Sequence, residues 1–362
     1  MDEYVNAVVE EIIHAAKKID GRDIVHTIYL GGGTPNLLSP QQIAVIIARI
    51  RENINCESKI EISMEANPTC LPGDYLESIR EIGINRLSIG MQSASENDLK
   101  ILGRKHSIED VKNSVMNARN AGFSNISLDL IFGIPLQTLM SFEKTLEAAF
   151  ELSPDHLSLY ALSIEDSTPL AAQIAKGEFP EPDDDLAADM YILAMELLEG
   201  RGYSQYEISN WAHGDENQCR HNLQYWRNQD YLGFGAGAHS HYRKSRWENV
   251  RYIKDYVDSV SDNIYKDNCV SQAGINFMSL SEKDEMSETM MMGMRLTQEG
   301  INSEDFTNRF GASLEEIYSK EIADLRKREL IEWIADNSHE HLRLTKKGKL
   351  LGNQVFMEFI RD

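Results

Sequence analysis

His26-Thr27-Ile28-Tyr29-Leu30-Gly31-Gly32-Gly33-Thr34-Pro35 is the stretch that decides the fold. A short β-rich run stops on three glycines, and a pattern of apolar residues three and four apart begins at Pro40. This is strand, loop, helix. The same order returns downstream, with strands expected over 60–64, 86–89, 127–131 and 156–162. Helices are expected over 40–53, 75–81, 108–121 and 140–152. Each gap between strands has room for one crossover helix, so the strands are parallel and right-handed crossovers curl them. The expected class is α/β, a partial (β/α)6-type TIM-like barrel.

Glycines and polar residues follow the strands at 31–35, 65–68, 90–93 and 133–135. In a barrel these C-terminal ends share one face, where ligands bind. Gly32 and Gly33 let the backbone approach a ligand closely, with Thr34 beside them. Glu65, before Asn67 and Pro68, offers a carboxylate to an ammonium group. Gln92 brings an amide, and Arg104 a guanidinium that grips a carboxylate with two prongs. Asp129 is an acid inside an apolar strand, where an unpaired charge costs several kcal/mol, so it needs a partner or a ligand hydroxyl. Together these groups suit a zwitterionic amino acid joined to a ribose.

A second constellation is Cys219-Arg220-His221-Asn222-Leu223-Gln224-Tyr225-Trp226. His221 is a candidate iron ligand, with Tyr225 and Trp226 offering flat faces to a porphyrin; the alternative is a structural histidine among core aromatics. Cys219 is a weaker second candidate.

The formal charge of −22 over 362 residues disfavours nucleic acid. Past residue 280, three helices (285–296, 302–310, 314–328), a β-ribbon (331–334 with 341–344) and a last helix over 345–359 suggest a winged-helix-like domain. Residues 276–362 nevertheless carry 12 basic against 17 acidic residues, so no nucleic-acid partner is expected. No run has the ~18–20 apolar residues of a membrane span. The first twenty residues read as an amphipathic helix with acids where an export signal carries positive charge, so a cytoplasmic protein is expected. Cys56, Cys70, Cys219 and Cys269 have no zinc or iron–sulfur spacing and are read as reduced thiols. The domain reading is 1–245 barrel with the histidine segment, 246–279 linker, and 280–362 C-terminal domain.

GGGTP (31–35), EANP (65–68), RLSIGMQS (86–93), DLIFGIP (129–135) and HLSLYAL (156–162) occur in this order. They resemble the radical S-adenosylmethionine (SAM) family that holds the oxygen-independent coproporphyrinogen III oxidases and the HemW haem chaperones. The likeness spans essentially the whole chain. It implies that Gly32, Gly33, Thr34 and Glu65 hold the amino end of SAM, Arg104 its carboxylate, and Gln92 and Asp129 its ribose. HNLQYW (221–226) is similar to the HNxxYW signature of the HemW branch, which implies haem binding at His221 with Tyr225 and Trp226. It also implies a haem-accepting target protein, with room for a membrane-associated one. The segment 206–210 resembles the corresponding stretch of that branch, a resemblance that implies a place at the barrel mouth. The alternatives are an oxidase that decarboxylates coproporphyrinogen, or a cluster-free protein that binds SAM or haem.

The family places CxxxCxxC after its first strand, for a [4Fe–4S] cluster that anchors SAM. This sequence has no such motif, so none of its cysteines is expected to bind that cluster. The expectation is a longer natural protein, the first barrel strand and the cluster loop being absent here and the next strand left as an exposed edge.

Overall fold

Capping residues start the helices where the periodicity predicts. Ser39 with Gln42, Ser107 with Asp110 and Thr138 with Ser141 form reciprocal capping boxes before helices Pro40–Asn53, Ile108–Asn120 and Leu139–Glu151. Gly83, at φ 113°, ends helix Gly73–Ile82 in the left-handed region. The computed structural model describes residues 1–262, 270–336 and 339–360. Cys269 lies outside them.

The chain divides into two compact units. One comprises Tyr29–Leu37 and Ile62–Gln218; the other comprises Met1–Ile28, Leu38–Glu61 and Cys219–Asp362. The first holds most of a seven-stranded sheet, of whose first two strands residues 25–28 and 56–61 are counted with the other. Its strands are β1 (Val25–Leu30), β2 (Cys56–Ala66), β3 (Arg86–Gln92), β4 (Ile126–Phe132), β5 (His156–Ala161), β6 (Ser204–Glu207) and β7 (Asn210–Ala212). Their order is β1-β2-β3-β4-β5-β7-β6. From β2 to β5 the pairs are parallel, and the β6–β7 hairpin adds antiparallel to β5. The curled parallel sheet of the expected α/β half-barrel is present.

Alternation splits this sheet into two chemistries. Ile62, Met64, Leu87, Ile89, Leu128, Leu130, Leu157 and Leu159 are buried, with Leu76, Ile79, Val111, Val115, Phe142 and Leu146 of the crossover helices. Burying one such side chain contributes roughly 1.5–3 kcal/mol. The intervening positions are polar, and the register lines them up: Ser63 with Arg86, Glu65 with Ser88, Ser88 with Ser127, and Asp129 with Ser158.

In the second unit, helix Asp2–Ala16 packs on Pro40–Asn53. Residues 246–279, expected as a linker, instead carry most of β9 (Ser245–Asn249), a helix (Ile253–Asp262) and β10 (Gly274–Ser279). β9 pairs with both β8 (His239–Tyr242) and β10. Glu11 explains much of this order. Its carboxylate accepts from Gly235 N, Asn249 Nδ2, Tyr256 Oη and Ser271 Oγ at 2.5–3.0 Å. Burial raises its pKa, and the four donors oppose that shift.

The C-terminal part carries helices Glu282–Gly293, Ser303–Phe310 and Leu314–Lys327 and a sheet of β11 (Ile301–Asn302), β13 (His339–Leu344) and β12 (Ile331–Asp336) in that order. The single helix expected over 345–359 is two, Lys346–Leu350 and Gly352–Glu358, broken at Leu351 (φ −112°, ψ 26°). Gly348 is drawn so close to the Leu330 carbonyl that a Cβ there would lie 1.9 Å from the oxygen. Among the described residues no helix is long and apolar enough to cross a membrane.

Candidate functional site

The sheet unit collects the first set of groups where β1 and β2 end. Gly32 and Gly33 sit at φ 79° and 66°, a region open to glycine and strained for most other residues. That bend points the Gly32 N–H at Glu65 Oε2, 3.1 Å away, while Tyr29 Oη donates to Glu65 Oε1 at 2.8 Å. Gly31 leaves room for the pair, since a Cβ there would meet Tyr29 Cε1 at 2.4 Å and Glu65 Oε1 at 3.0 Å. One residue pair then ties the two loops together. Asn67 N donates to Asn36 Oδ1 at 3.1 Å, and Asn36 Nδ2 donates to the Asn67 carbonyl at 3.3 Å.

Asp129 lies two strands away. Ser88 Oγ sits 2.9 and 3.0 Å from its two oxygens, and Ser127 Oγ is 3.5 Å from one. Burial raises the Asp129 pKa; hydrogen bonds from Ser88 and Ser158 and the charge of Arg86 pull it back, and the negative charge of Glu65 adds to the rise. Behind Asp129, Ser127 Oγ meets His156 Nδ1 at 2.8 Å, and His156 Nε2 meets Tyr206 Oη at 2.8 Å. Burial, with the Arg86 charge, pushes His156 well below its ordinary value, so it is a neutral ring.

Gln92 closes β3 at φ 65°, uncommon for a residue with a side chain, and its amide folds back over Gly90, where a Cβ would lie 2.8 Å from Nε2. Arg104 follows helix Glu96–Ile101 and is exposed; among the described residues it pairs with no carboxylate.

The second unit carries the histidine segment on helix Arg220–Trp226. That helix has no side-chain cap of its own. Glu61 of β2 supplies one, accepting from Arg220 N at 3.0 Å and His221 N at 3.2 Å. The buried Cys219 thiol also points at Glu61, Sγ to Oε1 3.7 Å, rather than outward as a ligand. Both ring nitrogens of His221 are engaged: Nδ1 with Thr27 Oγ1 at 2.9 Å, Nε2 with Tyr225 Oη at 3.1 Å. Tyr225 stands edge-on to His221 (4.9 Å) and to Tyr231 (4.6 Å), and burial pushes its phenol up to about 12. Trp226 has the Arg295 guanidinium 5.2 Å from its ring centre, and Arg295 also covers Phe356 at 4.4 Å. The stacking face expected of Trp226 is thus partly taken by a cation.

A family model described as the radical SAM superfamily matches residues 2–149, and one described as the HemN C-terminal domain matches 280–351. A Bacillus subtilis (strain 168) protein named "Heme chaperone HemW" is 37% identical over 365 aligned residues, covering 100% of this chain and 92% of its own length. This chain belongs to the HemW family of radical SAM proteins. A "Heme chaperone HemW" of Lactococcus lactis is 34% identical, with 99% of this chain and 90% of its own length covered. The solved structure of the Escherichia coli coproporphyrinogen III oxidase HemN, described as a radical SAM enzyme, superposes with a TM-score of 0.81 at 25% identity. It covers 99% of this chain and 82% of that one.

Within this HemW family member, the structure joins Gly32 to Glu65 directly, while Asp129 is held by Ser88 on the neighbouring strand. Gln92 ends that strand, and Arg104 is exposed, with no carboxylate paired to it among the described residues. Tyr206, Glu207 and Asn210, expected at a barrel mouth, are buried instead; Glu207 accepts from Ser209 N and Asn210 Nδ2, and Tyr206 serves His156. Reading by motif missed Tyr29, Arg86, Ser88, Ser127, His156 and Ser158. Their signal was available as polar residues every second position in otherwise apolar strands: 86 and 88, 127 and 129, 156 and 158. A further cluster, His241 with Glu285 and Glu288, has Arg309 on Glu285 at 2.8 Å and Arg246 on Glu288 at 2.9 Å, so its acids are neutralised by arginine.

Proposed function

We propose that this chain binds haem through His221 and passes it to a haem-requiring target protein. The observation that carries the proposal is the hold on the His221 ring. Its Nδ1 rests on a threonine hydroxyl, as the outer nitrogen of a metal-ligating histidine does, and its Nε2 meets a phenol that iron would have to displace. Kinship with proteins named haem chaperones supports the same reading. In this reading Tyr225 and the uncovered part of Trp226 pack against the porphyrin.

SAM is the proposed second ligand, in the sheet unit. The donor set suits it: a Glu65 carboxylate for an ammonium group, Gly32, Gly33 and Thr34 around it, Arg104 for a carboxylate, and Gln92 and Asp129 for ribose hydroxyls. The cysteines do not suit a [4Fe–4S] cluster, because no CxxxCxxC occurs in this sequence.

The test is a haemin titration of the protein followed at the Soret band, then mixing with an apo-haem protein such as apomyoglobin to follow transfer. Binding that weakens at least tenfold in His221→Ala, with transfer from the wild type, is expected. Unchanged binding in that variant refutes the assignment. Anaerobic decarboxylation of coproporphyrinogen by the protein would move the reading to the oxidase.

A further inference from the structure

We infer that Thr27 fixes the tautomer of His221, and that the Tyr225 hydroxyl caps the same Nε2 lone pair through which the ring takes iron. The inference rests on the haem reading above and assigns a positioning residue and a cap to its site. A neutral imidazole has one N–H donor and one lone-pair acceptor. With Thr27 Oγ1 at Nδ1 and Tyr225 Oη at Nε2, two arrangements satisfy the distances. They are not equivalent. A phenol is several pK units more acidic than an aliphatic alcohol and so is the stronger hydrogen-bond donor, while the threonine oxygen is the better acceptor. The favoured pattern has Nδ1–H donating to Thr27 and Tyr225 O–H donating to Nε2.

The surroundings hold that pattern in place. Thr27 lies on β1, half-buried, so its hydroxyl is presented by a strand rather than by a mobile loop. The Glu61 carboxylate anchors the backbone N–H of His221 from below. Tyr225, four residues on along the same helix, meets the ring edge-on at 88° with the centroids 4.9 Å apart. Iron binding then exchanges one bond for another. The Tyr225 O–H···Nε2 hydrogen bond breaks, the Nε2–iron bond forms, the phenol keeps its proton, and the Nδ1–H···Thr27 bond stays. No redox change is involved. The ring is a ligand stored in the orientation it will use, with a removable cap.

The roles predict opposite signs. Removing the outer partner of a ligating histidine typically weakens the metal bond about 10–100-fold. Removing the cap deletes one neutral hydrogen bond from the haem-free state and should tighten binding roughly three- to tenfold. The experiment titrates haemin into wild type, Thr27→Val, Thr27→Ser, Tyr225→Phe and His221→Ala, recording the Soret band and the ferric electron paramagnetic resonance spectrum. The 15N shifts of the His221 ring in the haem-free protein are measured in parallel. Expected are Nδ1–H in the haem-free ring, weaker binding in Thr27→Val, recovery in Thr27→Ser and tighter binding in Tyr225→Phe. An Nε2–H ring, or equal affinities in wild type and Thr27→Val while His221→Ala loses binding, overturns the inference and leaves the haem reading standing. Full binding with an unchanged spectrum in His221→Ala overturns both. Should Thr27→Val fail to fold, the 15N tautomer and the Tyr225→Phe affinity still decide the matter.

Discussion

Ser88→Ala tests whether the inner face of the sheet is an acid held by hydroxyls. Ser88 is buried, and its Oγ spans both oxygens of Asp129 at 2.9 and 3.0 Å. A hydrogen bond to a charged group contributes roughly 1.5–3 kcal/mol net, and the alanine leaves a void smaller than a water molecule. The expected loss at neutral pH is therefore about 2 kcal/mol. At roughly 2–4 °C per kcal/mol for a domain of this size, Tm should fall by about 4–8 °C. The pH dependence makes the test specific. The folded Asp129 pKa lies above its ordinary 3.8, so folding favours the protonated acid. That contribution is full below 3.8 and is lost as pH rises through the raised folded value. Ser88→Ala raises the folded pKa further by removing the largest opposing hydrogen bond, so its penalty should be greatest at pH 8. As pH falls and the acid takes up its proton, the penalty should shrink toward about 1 kcal/mol, the worth of a neutral bond. Urea unfolding of wild type and variant at pH 8 and pH 4 gives the answer. A penalty equal at pH 8 and pH 4 would refute the reasoning.

Gly31→Ala would drive a methyl into the Tyr29 ring and against Glu65. It should cost about 1–3 kcal/mol by thermal denaturation, as overpacking does. Glu11→Gln turns an amide NH2 toward a ring of four donors and should cost roughly 2–4 kcal/mol in urea unfolding. An unchanged midpoint would mean those donors have other acceptors. Arg295→Ala removes a cation lying between Trp226 and Phe356; about 1 kcal/mol of stability and a change in tryptophan emission are expected.

The sequence made most of the sheet unit readable because each βα repeat carries its own punctuation. Three glycines end β1, Asn67 and Pro68 end the run of β2, and a serine or threonine cap opens helices Ile108–Asn120 and Leu139–Glu151. Asp129 stood out as a charge in an apolar strand. Its partner did not, because Ser88 reaches it only through the β3–β4 register, and register is a property of the folded sheet. The linker expected over 246–279 failed for a related reason. β9 and β10 are short strands whose pairing spans the helix between them, and the acid that organises the region, Glu11, lies far away in sequence. The break at Leu351 left no mark in the apolar spacing, and the close approach of Gly348 to the Leu330 carbonyl is a contact with no local signature. His221 was legible as a candidate by its motif; Thr27, which holds it, was not, being 194 residues away.

Two asparagines couple what two separate loops would otherwise do alone. With Asn36 and Asn67 exchanging hydrogen bonds in both directions, the glycine turn and the end of β2 lose their independent freedom when the chain folds. A small molecule gripping both Gly32 and Glu65 meets a single preassembled jaw, and the ordering entropy of that jaw is already spent before the molecule arrives.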